Sequence, residues 1–202
     1  SGYGVQQSRG SGDTDWTCDR RRRMPPNTAK SASDSFDLVV RGGTLVDGTG
    51  APPAAGDLAI SRGKIVAVGG RIDAPGAEVI DADGALVTPG WVDVHTHYDG
   101  QVTWDDTLDP SFSNGATTLI MGNCGVGFAP CPKGEEQTLI DMMEGVEDIP
   151  GTALAVGVPW GAWESFEEYL DWIGEREYAV DFGTQLPHSA LRFQVMRDRA
   201  LR

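Results

Sequence analysis

"PGWVDVHTHYDG", Pro89 to Gly100, is the stretch where the chain changes character. Before it, short β-branched runs are punctuated by glycine; after it, strand-like runs alternate with helical ones. Within it the run Trp91–Val94 reads as a strand that delivers His95 and His97, two of the three histidines in 202 residues. Side chains at i and i+2 of an extended strand point to the same face. The two imidazoles can therefore reach one common point, either as a polar pair on a solvated strand face or as two ligands of one ion.

Upstream, "FDLVVRGGTLVDGTG", "GDLAISRGKIVAVGG" and "AEVIDADGALVTPG" predict strands turning at Asp47-Gly48, Arg62-Gly63 and Asp83-Gly84. The expectation is a small antiparallel all-β module occupying residues 24–90. Such a module makes a thin core and is marginal alone. Its polar residues fall at turns, where Asp and Gly serve the backbone rather than chemistry.

Downstream, residues 91–202 read as α/β. "WVDVHTH" and "GATTLIMGNCG" are strands, and "YAVDFGTQLPH" is a third. Between them "EEQTLIDMMEGVED" places Leu139, Met142, Met143 and Val146 at helical spacing. "SFEEYLDWIGER" opens on a capping box, Ser165 with Glu168, and carries Phe166, Tyr169, Leu170 and Ile173 on one face. Alternating strands and helices imply parallel pairing. A closed eight-stranded α/β barrel takes about 250 residues, so this segment has room for only the first units of one, and the chain reads as the amino-terminal part of a longer protein.

Bulk properties narrow the function. A formal charge of −14 argues against nucleic acid as a partner. No apolar run approaches the length that crosses a bilayer. Three cysteines, Cys18, Cys124 and Cys131, make no disulfide framework, which with no export signal points to a reduced, cytoplasmic setting. Residues 1–23, ending in Arg20–Arg23 before Met24, lack apolar period and caps and are expected to be a leader that does not fold.

His95 and His97 fall near the carboxyl end of their strand, the end at which parallel α/β sheets bind ligands. Cys124 stands at the end of the next strand, in "MGNCGVG", and opens towards the same rim if the two strands are parallel neighbours. Thiolate with imidazole favours zinc. The same thiol also fits a nucleophile with a histidine as its base, or a buried free cysteine; the flanking glycines favour close approach to a ligand. Asp99 is a candidate to bind metal or to orient a histidine. His188, in "LPHSALR", is a candidate substrate contact or a structural histidine. Cys131, between two prolines, has no assigned role.

Together "DLVVRGGTLVDGTG", "GKIVAVG", "IDADGALVTPGWVDVHTHYD" and "GNCGVGFAPC" resemble the amidohydrolase superfamily, specifically its N-acyl-D-amino-acid deacylase branch. The resemblance implies a small β-sandwich beside a metal-dependent (β/α)8 barrel, one or two zinc ions, and His95, His97 and Cys124 as metal-site residues. It implies hydrolysis of the amide of a small-molecule N-acyl-D-amino acid, with the proton-shuttling aspartate on a later strand, beyond Arg202. The 202-residue chain alone is accordingly expected to be inactive. Two alternatives are a cyclic-amide hydrolase of the hydantoinase or dihydroorotase type and a non-catalytic remnant of the scaffold.

Overall fold

The computed structural model describes residues 36–147 and 149–201. The leader proposed for residues 1–23 lies outside the described residues. The described chain divides into two compact units, with the division between Pro89 and Gly90.

The first unit is one mixed five-stranded sheet. Its strands are β1 (Leu38–Leu45), β2 (Ala54–Ser61), β3 (Lys64–Val68), β4 (Glu78–Asp81) and β5 (Leu86–Val87). β1 pairs antiparallel with β2, and β2 antiparallel with β3. Arg62 and Gly63 turn the second hairpin with φ of 53° and 71°, the left-handed pair that matches strand twist. The expectation of an all-antiparallel module fails at β4 and β5, which both run parallel to β1.

The cause is local. Residues 78–87 follow the free edge of β1 in one direction, β4 pairing with Leu38–Arg41 and β5 with Thr44–Leu45. β1 carries a bulge between Val40 and Gly43, and the Asp83-Gly84 turn lies beside it, Gly84 N–H donating to Gly42 O at 2.8 Å. That turn therefore takes the edge past the bulge instead of closing a hairpin. The buried apolar core of this unit is Val39, Ala59 and Ala74. Asp57 is buried beside it and spans the sheet: its Oδ1 accepts from Gly42 N–H and its Oδ2 from Ile72 N–H, each at 2.9 Å.

The second unit has a three-stranded sheet in the order β6 (Trp91–Asp93), β7 (Ala116–Met121), β8 (Asp181–Thr184), all parallel. Helices α1 (Glu136–Glu147), α2 (Gly151–Gly157) and α3 (Phe166–Gly174) fall between β7 and β8, and α4 (His188–Met196) follows β8. The capping box at Ser165 is present: Ser165 Oγ accepts from Glu168 N–H, and the Glu168 carboxylate accepts from Ser165 N–H.

The helical stripes differ from expectation at their margins. In α1 the buried residues are Leu139, Ile140 and Met143, with Met142 half-buried and Val146 exposed. In α3 Tyr169 and Ile173 are buried while Leu170 is exposed. α2 and α4 were not expected. α2 is a seven-residue helix between glycines, and α4 starts where the sequence read as the end of a strand. Phe128, Leu108, Leu119, Met121, Leu139, Met143 and Leu154 fill the core, each at most 2% exposed. Burying each contributes about 1.5–3 kcal/mol. Among the described residues no helix is long and apolar enough to cross a membrane.

Candidate metal centre

β6 is shorter than expected. It ends at Asp93, whose Oδ1 accepts from His95 N–H at 3.1 Å and turns the backbone out of the ladder. His95 and His97 therefore sit on a loop past the strand, so the i, i+2 strand geometry does not bring them together. The loop does so by other means. Thr96 binds Ile120 O with both its N–H and its hydroxyl, each at 2.9 Å. Asn123 Nδ2 donates to Val94 O at 3.3 Å and to Ile120 O at 2.9 Å. These bonds tie the carboxyl end of β6 to that of β7, with Thr96 anchored between the two histidines.

The loop after β7 is shaped by backbone demands. Gly122 has φ 78°, and a Cβ there would lie 2.2 Å from Gln185 O, so only glycine lets this loop pack against the end of β8. Two residues on, Cys124 itself adopts φ 56°. A left-handed conformation is uncommon and costly for a residue with a side chain. Its effect is to present the thiol at an exposed position towards the histidines.

His95, His97 and Cys124 form a group whose ligand atoms all lie within 4.8 Å of one another. His95 Nε2 is 3.1 Å from Cys124 Sγ, and the two imidazole rings are 5.4 Å apart between centroids. A zinc ion binds imidazole nitrogen and thiolate at about 2.0–2.3 Å, a span that fits this spacing. The donor set, two nitrogens and one sulfur, is a zinc set. His97 Nδ1 adds a further sign of fit: it is buried and has no hydrogen-bond partner among the described residues.

Asp99 is outside this group. Its side chain is 2% exposed, and burial is the first cause that lifts its carboxyl to about 7, with the nearby Glu147 charge adding and the Gly122 N–H opposing. Its Oδ2 has no hydrogen-bond partner among the described residues, and its carbonyl accepts from the buried Tyr169 hydroxyl at 3.1 Å. His188 opens α4 and is exposed. Its Cβ would be 3.5 Å from a Cβ at Gly125, so it borders the cysteine loop without joining the ligand group. Cys131 is 3% exposed, and burial, with Glu136, Glu135 and Glu164 adding, pushes its thiol up to about 12. One carboxylate was not foreseen: Glu147 Oε1 approaches His97 Nε2 to 3.3 Å. No local pattern marks it, because it is only the last residue of an acidic helix.

The chain is similar to known proteins over most of its described length. Residues 78–202 match the amidohydrolase family. The chain is 34% identical over 172 residues to the N-acyl-D-aspartate deacylase of Alcaligenes xylosoxydans xylosoxydans, covering 85% of this chain and 32% of that protein. It is 34% identical over 170 residues to the D-aminoacylase of the same organism, covering 84% and 33%. Among solved structures, the N-acyl-D-glutamate deacylase from Bordetella bronchiseptica, complexed with zinc and a phosphonate inhibitor, is similar at a TM-score of 0.64 and 31% identity. That match covers 82% of this chain and 32% of the other. The chain thus spans about a third of the length of the relatives it matches. With the family pattern extending over more than half of its residues, this chain belongs to the amidohydrolase family.

Proposed function

We propose that the chain carries part of the metal centre of a zinc-dependent hydrolase that cleaves the amide bond of N-acyl-D-amino acids. Its two units are then part of a β-sandwich and the first β/α units of a (β/α)8 barrel. The open edges of β6 and β8 support the second assignment, as does the exposure of the apolar residues Trp91, Val92 and Val94. The relatives matched over most of the chain support the substrate class, since they are named for deacylation of N-acyl-D-aspartate and for D-aminoacylase activity.

The observation that carries the reading is the convergence of His95, His97 and Cys124. His95 and His97 would hold the ion through imidazole nitrogen and Cys124 through its sulfur. A bound zinc ion supplies Lewis acidity, polarising an amide carbonyl and making a coordinated water acidic near neutral pH. Thr96 and Asn123 hold the two loops that bear these ligands in register, while the exposed His188 borders the cysteine loop as a candidate substrate contact and the buried Asp99 stands behind the site. Cys131 takes no part: a buried thiol held at about 12 is not a thiolate at neutral pH.

The test compares the two cysteines in the intact protein. Cys124→Ser is expected to lose zinc on dialysis and to lose hydrolysis of N-acetyl-D-amino acids, whereas Cys131→Ser keeps both. Zinc retained at parental stoichiometry by Cys124→Ser removes the proposed centre. Retained zinc dependence without amide cleavage removes the proposed substrate class alone.

A further inference from the structure

Asp99 is a buried carboxyl that the proposed ligand group leaves unused. Taking an acidic side chain out of water is costly, so its place in the interior calls for a reason. The residue is fastened first through its main chain: its carbonyl accepts from the Tyr169 hydroxyl at 3.1 Å, from 70 residues further along the chain. Tyr169 is itself buried in α3 and packs against Trp163 at 4.9 Å between ring centroids. Asp99 is thus anchored by a helix that carries none of the proposed ligands.

Its side chain meets the cysteine loop at both ends. At the start, Gly122 N–H donates to the Asp99 carboxyl. At the far end Asp99 Oδ1 and Pro187 close on Gly127, where a Cβ would lie 3.0 and 2.5 Å from them. Between the two contacts stands Cys124 with its left-handed backbone, φ 56°, and its Sγ 3.1 Å from His95 Nε2. Such a backbone persists only where its surroundings over-determine it. Asn123 fastens this loop to the ends of β6 and β7, and Asp99 bears on it from the interior.

We propose that Asp99 is a positioning residue for Cys124: its carboxyl braces the cysteine loop at Gly122 and Gly127, and so keeps the sulfur within reach of a cation shared with the histidines. The proposal rests on the reading of His95, His97 and Cys124 as metal ligands. It assigns Asp99 no contact with the ion and none with substrate.

The experiment compares the intact parent with Asp99→Asn, which keeps an oxygen to accept from Gly122 N–H at nearly the same volume, and Asp99→Ala, which removes it. Hydrogen exchange resolved to single amides reads the brace in the zinc-free parent and needs no variant. The Gly122 amide is expected to exchange at least about tenfold more slowly than an unprotected amide, and exchange at the unprotected rate overturns the proposal. Zinc affinity, by competition with a chromogenic chelator, is expected to fall about 10- to 100-fold in Asp99→Ala, as for other residues that hold a ligand from behind. Asp99→Asn is expected to stay within a few-fold of the parent. After cobalt substitution the thiolate-to-cobalt absorption band is expected in the parent and Asp99→Asn, and is expected to be lost from Asp99→Ala while cobalt stays bound, which a general loss of stability does not produce. Affinity and band unchanged in Asp99→Ala overturn the proposal, as does Asp99→Asn falling as far as Asp99→Ala, which points to direct ligation by the carboxylate. A parent that binds cobalt without the sulfur band overturns the reading of Cys124 as a ligand, a failure distinct from an unprotected Gly122 amide, which overturns the brace alone.

Discussion

The two units of this chain are held together by different means. In the mixed sheet the buried apolar residues are Val39, Ala59 and Ala74, while large apolar side chains such as Ile65, Ile80 and Leu86 remain exposed. What spans its strands is a carboxylate, Asp57, gripping two backbone amides. In the parallel-sheet unit Phe128, Leu119, Met143 and Leu154 are almost wholly buried, and aromatic pairs add to the packing: Phe128 meets Trp160 edge-on at 5.5 Å and Trp163 meets Tyr169 at 4.9 Å. Left-handed residues other than glycine occur in both units: Arg62 and Asp83 lie in exposed turns of the first, whereas Cys124 lies in the loop after β7 of the second. Cys124, the exposed His95 and the half-buried His97 belong to the second unit, where packed surroundings can offset the cost of the left-handed backbone at Cys124.

The contrast predicts where each unit is most fragile. Phe128→Ala removes a side chain that is 2% exposed, and a deletion of that kind costs about 3–5 kcal/mol. Hydrogen exchange followed by mass spectrometry on the intact protein is expected to show faster exchange in β7 and α1 with β1–β3 unchanged. Acceleration in β1–β3 as well would mean that the two units open together, and the comparison would not hold.

Asp57→Ala is the counterpart in the first unit. It leaves the Gly42 and Ile72 amides without their acceptor, and hydrogen bonds to a charged group are worth roughly 1.5–3 kcal/mol each before relaxation, so a net loss of about 2–4 kcal/mol is expected. Exchange should rise in β1 and β2 and stay constant in β7. The clamp also carries a pH signature. The Ile72 and Gly42 N–H bonds hold the Asp57 carboxyl below its ordinary value of 3.8. The unfolded chain therefore takes up the proton first, so the stabilisation is complete above that value and fades as pH falls through the lower, folded one. Acidification below about 4 should raise exchange in the parental first unit, with a weaker pH response in Asp57→Ala.

The legibility of the sequence follows the same division. Local signals were reliable: the Arg62-Gly63 turn, the helical periods of α1 and α3, and the Ser165 capping box depend on residues a few positions apart. Long-range pairing was not readable. Asp83-Gly84 is a turn as expected, but whether its flanks pair with each other or with β1 depends on a bulge some forty residues earlier, between Val40 and Gly43. α4 is not legible where "LPHSALR" reads as the end of a strand. Pro187 in fact starts the helix, and Ala190 with Phe193 is the buried i, i+3 pair that marks its face. Of the site, the types and order of His95, His97 and Cys124 stood in the sequence, but the means of their convergence did not. Thr96 and Asn123 make that convergence through bonds to Val94 and Ile120, and neither residue type announces such a role.

The smallest effect tests whether the well-packed unit depends on its local signals at all. Ser165 caps α3 with its hydroxyl, and Glu168 closes the box from the other side. Replacing an N-cap serine by alanine costs about 1 kcal/mol. Here the Glu168 carboxylate accepts from the backbone N–H groups of both Glu164 and Ser165, at 2.8 and 2.9 Å, and those bonds survive in Ser165→Ala. Beneath them Tyr169 and Ile173 anchor the helix by burial. Urea denaturation of Ser165→Ala should therefore show a loss of about 1 kcal/mol or slightly less, with faster exchange confined to the first turn of α3. A loss as large as that of Phe128→Ala would mean that this helix is held by its cap and not by its core face, and the contrast between the two units would narrow to the Asp57 clamp alone.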